Sequence, residues 1–148
     1  MKKNNLERPY KGMWLDPKSE LVFMANADYH SQTRYVREWR LTPKGEEILL
    51  GNCRPEVISA YIDTWTLYAE NELLLMRRGD SRLIQKYISK YPLSHNAQLY
   101  LVQNGKKEDI LCLAKSEFPL FDDVINILSA REDGLSEIYF QTPKIRVL

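Results

Sequence analysis

Leu15, Leu41, Leu67 and Leu93 stand at a constant spacing of 26 residues, and other positions keep the same register. Tyr35, Tyr61 and Tyr87 recur at 26, as do Trp39, Trp65 and Tyr91. Glu20, Glu46 and Glu72 recur in the same way, with Gln98 following, and Leu120 opens a further copy after one extra residue. Such a period implies stacked copies of one small unit rather than a single globular core. Five units follow: 15–40, 41–66, 67–92, 93–119 and 120–146.

The first half of each unit carries apolar residues at helical spacing. Leu41, Ile48, Leu49 and Leu50 form the pattern in the second unit, and Leu67, Leu74, Leu75 and Met76 in the third. Positions i, i+3/i+4 and i+7/i+8 make one face of an α-helix, and the third adjacent apolar residue widens that face. Asp16-Pro17 and Thr42-Pro43 place a capping side chain before a proline at the first helical position. Ser94 and Asp122 or Asp123 are assigned the same duty further on. Asn26, Asn52 and Asn104 share one register position, where a left-handed residue would end the helix, and Arg78-Gly79 replaces it in the third unit. Gly105 is read as a second glycine cap.

The second half is another short helix. Ile58, Tyr61, Ile62 and Trp65 are spaced i, i+3, i+4, i+7, and Ile84, Tyr87, Ile88 and Tyr91 repeat the spacing. Tyr91-Pro92-Leu93 and Phe118-Pro119-Leu120 turn the chain into the next unit, because proline cannot continue a helix. Strand signals are absent. The expected fold is all-α: a right-handed α-solenoid of about five helix-turn-helix repeats, in one domain over 15–146. Residues 1–14 form a tail and cap, with Met13 and Trp14 over the first unit and the chain before about Arg8 disordered. The fifth unit, interrupted at Glu132-Asp133-Gly134, closes the other end with a loose tail from Lys144.

A unit such as Leu67 to Pro92 has a Glu72-Leu73-Leu74-Leu75 helix, an Arg78-Gly79-Asp80 turn and a Tyr87-Ile88 helix. It resembles the short helical-pair repeats of bacterial α-solenoids, similar to the leucine-rich-repeat variant and to compact HEAT-like arrays. The resemblance covers about 130 residues and rests on packing positions. It implies a curved stack of helix pairs and a binding role by analogy, and carries no functional residues.

Charge narrows the functions. The 148 residues have a formal net charge of +1, with 44% hydrophobic and 28% charged residues, the balance of a soluble globular chain. No repeat is strongly basic, so bulk attraction to nucleic acid is weak. No apolar run reaches the roughly 20 residues that span a bilayer, and no apolar segment follows Lys2-Lys3 as in a secretory leader. Cys53 and Cys112 give no disulfide framework and read as reduced, which makes a cytoplasmic protein the default.

Catalysis finds little support. His95, in Ser94-His95-Asn96, reads as part of a helix start, and His30 as surface. Neither has a metal partner at i+4, and no cofactor or metal is expected. Asp28, Asp80 and Asp133 fall in turns, whose chemistry explains them without a cation. The aromatic series Trp39, Trp65, Tyr91 and Phe118 reads as packing between units rather than base stacking. The Glu20, Glu46, Glu72, Gln98 series reads as a hydrogen-bond ladder that sets stacking register, against the rival reading of an acidic stripe.

The surface candidate is basic. Arg82, Lys86 and Lys90 fall at i, i+4, i+8 and make one edge, with Arg77 and Arg78 nearby. Arg34 shares the register of Lys86, with Arg37 and Arg40 close by. The expected function is a non-catalytic protein-interaction module or small scaffold that binds through the second helices. The alternatives are a nucleic-acid-binding, possibly base-processing, HEAT-like protein, and a purely structural role as a partner of another protein.

Overall fold

A computed structural model describes residues 14–145. Among them the chain is all-α, with ten helices and no strand. They are α1 Pro17–Asn26, α2 Tyr29–Glu38, α3 Pro43–Asn52, α4 Pro55–Thr64, α5 Ala69–Arg78, α6 Ser81–Lys90, α7 His95–Asn104, α8 Lys107–Lys115, α9 Asp122–Ala130 and α10 Leu135–Gln141. Two helices fall in each of the five sequence units. The chain divides into two compact units, residues 1–74 and 75–148, and the boundary lies inside α5. None of the described helices is long and apolar enough to cross a membrane.

In the unit 1–74, α1 packs on α3 and α2 on α4, so first helices meet first helices and second meet second. The starts follow the local sequence. The Asp16 carboxylate accepts from the Ser19 N–H at 2.8 Å, Asp28 from Ser31 at 2.8 Å, and the Thr42 hydroxyl from Gly45 at 3.1 Å. These bonds to Ser19 and Ser31 hold the Asp16 and Asp28 carboxyls below their ordinary range. Thr42 does more than cap, since its hydroxyl also donates to Glu20 Oε2 at 2.7 Å. Thr42→Ala is therefore expected to lower unfolding free energy by about 2 kcal/mol, the upper end of the range for caps, in a urea titration at pH 7.

Helix ends depart from the expectation. Among the described residues no residue other than glycine has a positive φ, so Asn26, Asn52 and Asn104 are not left-handed. Asn26 instead donates its side-chain amide to the Val22 carbonyl at 2.9 Å, and Asn104 donates to Tyr100 at 3.3 Å. The next residues, Ala27, Cys53 and Gly105, are extended and lead directly into the second helix. Gly105 does cap α7, its N–H bonded to Leu101 O, but at φ −75°, whereas Gly79, at φ +75°, is the left-handed terminus that the sequence suggested.

In the unit 75–148, α6 packs on α8 and α8 on α10, while α7 packs on α9 and α9 on α10. Asp80 caps α6 through the Arg82 and Leu83 N–H groups. Asp122 and Asp123 are not caps. Phe121 holds the cap position of α9, and both acids lie in the first turn, where they still suit the helix dipole. Ser94 occupies the cap position of α7 without a side-chain bond to that helix.

The three-residue apolar width of the first helices narrows to two. Phe23 and Met24, Leu49 and Leu50, and Leu101 and Val102 are buried, whereas Val22 is 48% exposed and Ile48 and Tyr100 are half-buried. At the start of the fifth unit's tail, Lys144 and Ile145 are docked rather than loose. Lys144 Nζ donates to the Ala114 and Ser116 carbonyls at 2.7 and 2.6 Å, and the Ile145 N–H bonds to Glu117 O. Burial holds the Lys144 ammonium below its usual pKa. Trp14 is 58% exposed; Met13 and the remainder of the N-terminal tail and cap lie outside the described residues, as do 146–148.

Candidate interaction surface

Any surface function starts from which polar groups the fold leaves outside, and the glutamate series is not among them. Glu20, Glu46, Glu72 and Gln98 are all buried, which removes the acidic stripe. The tyrosines at 35, 61 and 87 are 0% exposed. In the second repeat the Tyr61 hydroxyl accepts from the Leu41 N–H at 3.2 Å and donates to Glu46 Oε2 at 2.6 Å. Glu46 Oε1 accepts from the Tyr68 N–H at 3.0 Å and the Asn71 amide at 3.1 Å. One carboxylate thus joins its own repeat to the start of the next.

The first repeat uses the same atoms. The Leu15 N–H donates to the Tyr35 hydroxyl at 3.3 Å, and Glu20 Oε2 accepts from the Thr42 N–H at 2.9 Å. Gly45 makes room, because a methyl there would meet the Glu20 carboxylate. In the fourth repeat Leu113 stands at the tyrosine register and offers no phenol. Gln98 replaces the acid, donating to Leu93 O at 3.1 Å and accepting from the Phe121 N–H at 3.1 Å. A neutral amide suits a buried position that lacks the phenol donor. The 23-residue step from Gln98 to Phe121, against 22 for Glu20 to Thr42 and Glu46 to Tyr68, absorbs the extra residue before Leu120.

Burial sets the proton affinities of this ladder. It pushes the Tyr35 phenol up to about 12 and raises Tyr61 as well, with the Glu46 charge adding to the effect. Burial also raises the Glu46 carboxyl, and the bonds from Tyr61, Tyr68 and Asn71 oppose that rise.

The basic residues lie outside the ladder. On α2, Arg34 and Arg37 are exposed. On α6, Arg82 and Lys90 are exposed and Lys86 is half-buried, so the i, i+4, i+8 row is present on one helix. Lys90 Nζ lies 5.8 Å from the Tyr91 ring centre. At the end of α5, Arg77 is exposed, 5.9 Å from the Tyr100 ring, and Arg78 is half-buried. Lys106, absent from the sequence reading of this edge, joins it by donating to the Gly79 carbonyl at 3.0 Å.

Other arginines are occupied. Arg40 lies 4.2 Å over the Tyr68 ring and donates to Thr66 O at 3.2 Å, and Arg54 lies 4.2 Å over Tyr29. Arg40 therefore belongs to the packing between repeats, not to the candidate surface. The aromatic series is half-buried, and Trp65 Nε1 donates to Val36 O at 2.8 Å, as packing requires.

Histidine and cysteine chemistry stays modest. His30 is exposed, its ring 4.0 Å from Tyr29. His95 Nε2 sits 2.7 and 2.8 Å from the two Asp123 oxygens, with its ring 4.7 Å from Phe121. This contact ties the starts of α7 and α9 and was not legible in the sequence. Asp133 accepts from Arg131 Nε and the Leu135 N–H, and like Asp28 and Asp80 it serves its turn. Cys53 is buried, and burial raises the Cys112 thiol, which lowers its nucleophilic fraction. No protein-family model, curated protein or solved structure matches the chain.

Proposed function

We propose that the five helix pairs form one right-handed solenoid that acts in the cytoplasm as a non-catalytic protein-interaction module or small scaffold. It engages its partner through the face formed by the second helices. The observation that carries this reading is the stacking of second helices on one another, α2 on α4 and α6 on α8 on α10, with charged side chains outward. Because the acidic series is consumed by the interior ladder, the charges outside it on the second helices include Arg34, Arg37, Arg82, Lys86 and Lys90, together with Glu56 and Asp63 of α4. Rim charges of this kind select partners and speed association more than they add raw affinity.

Arg34→Glu combined with Lys86→Glu tests the assignment. The doubly reversed protein, checked for an unchanged helical melt, should lose the partners that the unaltered protein captures. It should bind a purified partner about tenfold or more weakly, equivalent to about 1.4 kcal/mol. Equal capture by both proteins would make the face assignment wrong.

Nucleic-acid binding is the second reading, favoured by the Arg77, Arg78, Arg82, Lys86, Lys90 edge with Lys106 beside it. It requires oligonucleotide binding at low salt whose log affinity falls linearly with log salt. Flat or absent binding removes it.

A further inference from the structure

The residue that follows the ladder tyrosine belongs to the core. Val36, Ile62 and Ile88 follow Tyr35, Tyr61 and Tyr87, and Ala114 holds the same register in the fourth repeat; all four are buried. Ile88 and Ala114 lie on helices that a following second helix covers, α8 on α6 and α10 on α8. In the fifth repeat Tyr139 keeps the tyrosine's place. Its hydroxyl accepts the Leu120 N–H at 3.0 Å, as that of Tyr61 accepts the Leu41 N–H. The next residue is Phe140, and it is 66% exposed. No helix follows α10 among the described residues.

Ile145 repeats the observation. It stands six residues after Tyr139, as the buried Leu41, Leu67 and Leu93 stand six after Tyr35, Tyr61 and Tyr87, yet it is 43% exposed. Two large apolar side chains at core register are therefore left open beside α10, where a solvated terminal repeat would carry polar ones.

The rest of the fifth repeat limits what can cover them. Glu20, Glu46 and Gln98 each accept the N–H that opens the following repeat, at Thr42, Tyr68 and Phe121. Their register in the fifth repeat is Ile125, whose side chain accepts nothing. Met24, Leu50, Met76 and Val102 are buried at a register where the fifth repeat has Ser129, which is exposed. A unit stacked in the same way would find neither the ladder bond nor the apolar contact on α9. The cover that fits is a single helix lying on α10 alone, and α10 is itself such a helix. Glu137 is its one charged residue, so two copies of it meet with little like-charge repulsion. A two-fold contact sets one patch against its own copy. We infer that a second copy of this chain docks through α10, with the Phe140 ring of each copy packed on α10 of the other and Ile145 beside it. The patch is small, which makes the dimer a weak one.

The test uses the 148-residue chain. Sedimentation equilibrium from about 10 μM to about 1 mM should show a monomer–dimer equilibrium. Phe140→Glu, checked for an unchanged helical melt, should weaken dimerisation about tenfold or more. Val22→Glu, at the exposed apolar residue of α1, should leave it unaltered. In a mixture of isotope-labelled and unlabelled chains, the Phe140 ring protons should show nuclear Overhauser contacts to α10 of the other chain. A monomer throughout the concentration range would overturn the inference. So would equal weakening by both substitutions, contacts from Phe140 to α1 or α2 of the other chain, or species that grow beyond a dimer, all marks of head-to-tail stacking.

Discussion

Tyr61→Ala should lower the unfolding free energy by about 4 kcal/mol or more, measured by urea titration at pH 7. Removing a fully buried aromatic ring costs about 3–5 kcal/mol through lost transfer energy and the cavity left behind. Tyr61 is 0% exposed and reaches from α4 to Glu46 of α3. The phenol oxygen adds a second loss, since the Leu41 N–H and Glu46 Oε2 both lose a partner inside the protein. Leaving buried polar groups unsatisfied costs about 1–3 kcal/mol. Tyr61→Phe keeps the ring and isolates that second loss. A total below about 1 kcal/mol for Tyr61→Ala would mean that the ring is not part of the core.

Glu46→Gln should destabilise the protein by about 1–3 kcal/mol at pH 7, although the change is nearly isosteric. The Tyr61 hydroxyl, the Tyr68 N–H and the Asn71 amide all point donors at the carboxylate. An amide at that position offers one acceptor oxygen and sets its own N–H groups against donors. Gln98 shows the arrangement in which an amide does fit, with a carbonyl supplied by Leu93 on one side and the Phe121 N–H on the other.

The pH dependence separates this acid from those at the helix caps. Burial raises the folded-state pKa of Glu46 above its unfolded value. Its contribution to stability is therefore fully present below the unfolded pKa and is lost as pH rises through the folded one. Asp16 and Asp28 have lowered pKa values and behave in the opposite sense, since their contribution is lost as pH falls. The stability gap between the unaltered protein and Glu46→Gln should widen as pH drops from 7 toward 5. A gap that narrows would show that the donors around Glu46 outweigh its desolvation.

Which residues were legible in advance follows from the range of the interaction that places them. Asp16-Pro17 and Thr42-Pro43 announce a helix start because cap, proline and first turn lie within four residues. Tyr35, Tyr61 and Tyr87 announce the core because their spacing repeats with the apolar face around them. The Arg82, Lys86, Lys90 row was equally visible, since i, i+4 and i+8 share a helix face by geometry alone. The asparagine ends were misread. Their side chains reach back one turn to a carbonyl, and composition does not distinguish this from a left-handed cap.

The sequence by itself therefore determined the 26-residue unit, its two helices, most of the helix boundaries and the tyrosines at its centre. These are local properties, set by periodicity and capping over a few residues. Only the tertiary structure decided that Glu20 and Glu46 face inward, that Arg40 and Arg54 lie over tyrosines and that His95 meets Asp123. Each of these pairings joins residues about 22 to 28 positions apart. A charged side chain near a helix edge can turn toward solvent or toward the next repeat. The choice is made by the donors, rings and carbonyls that the stacked neighbour presents.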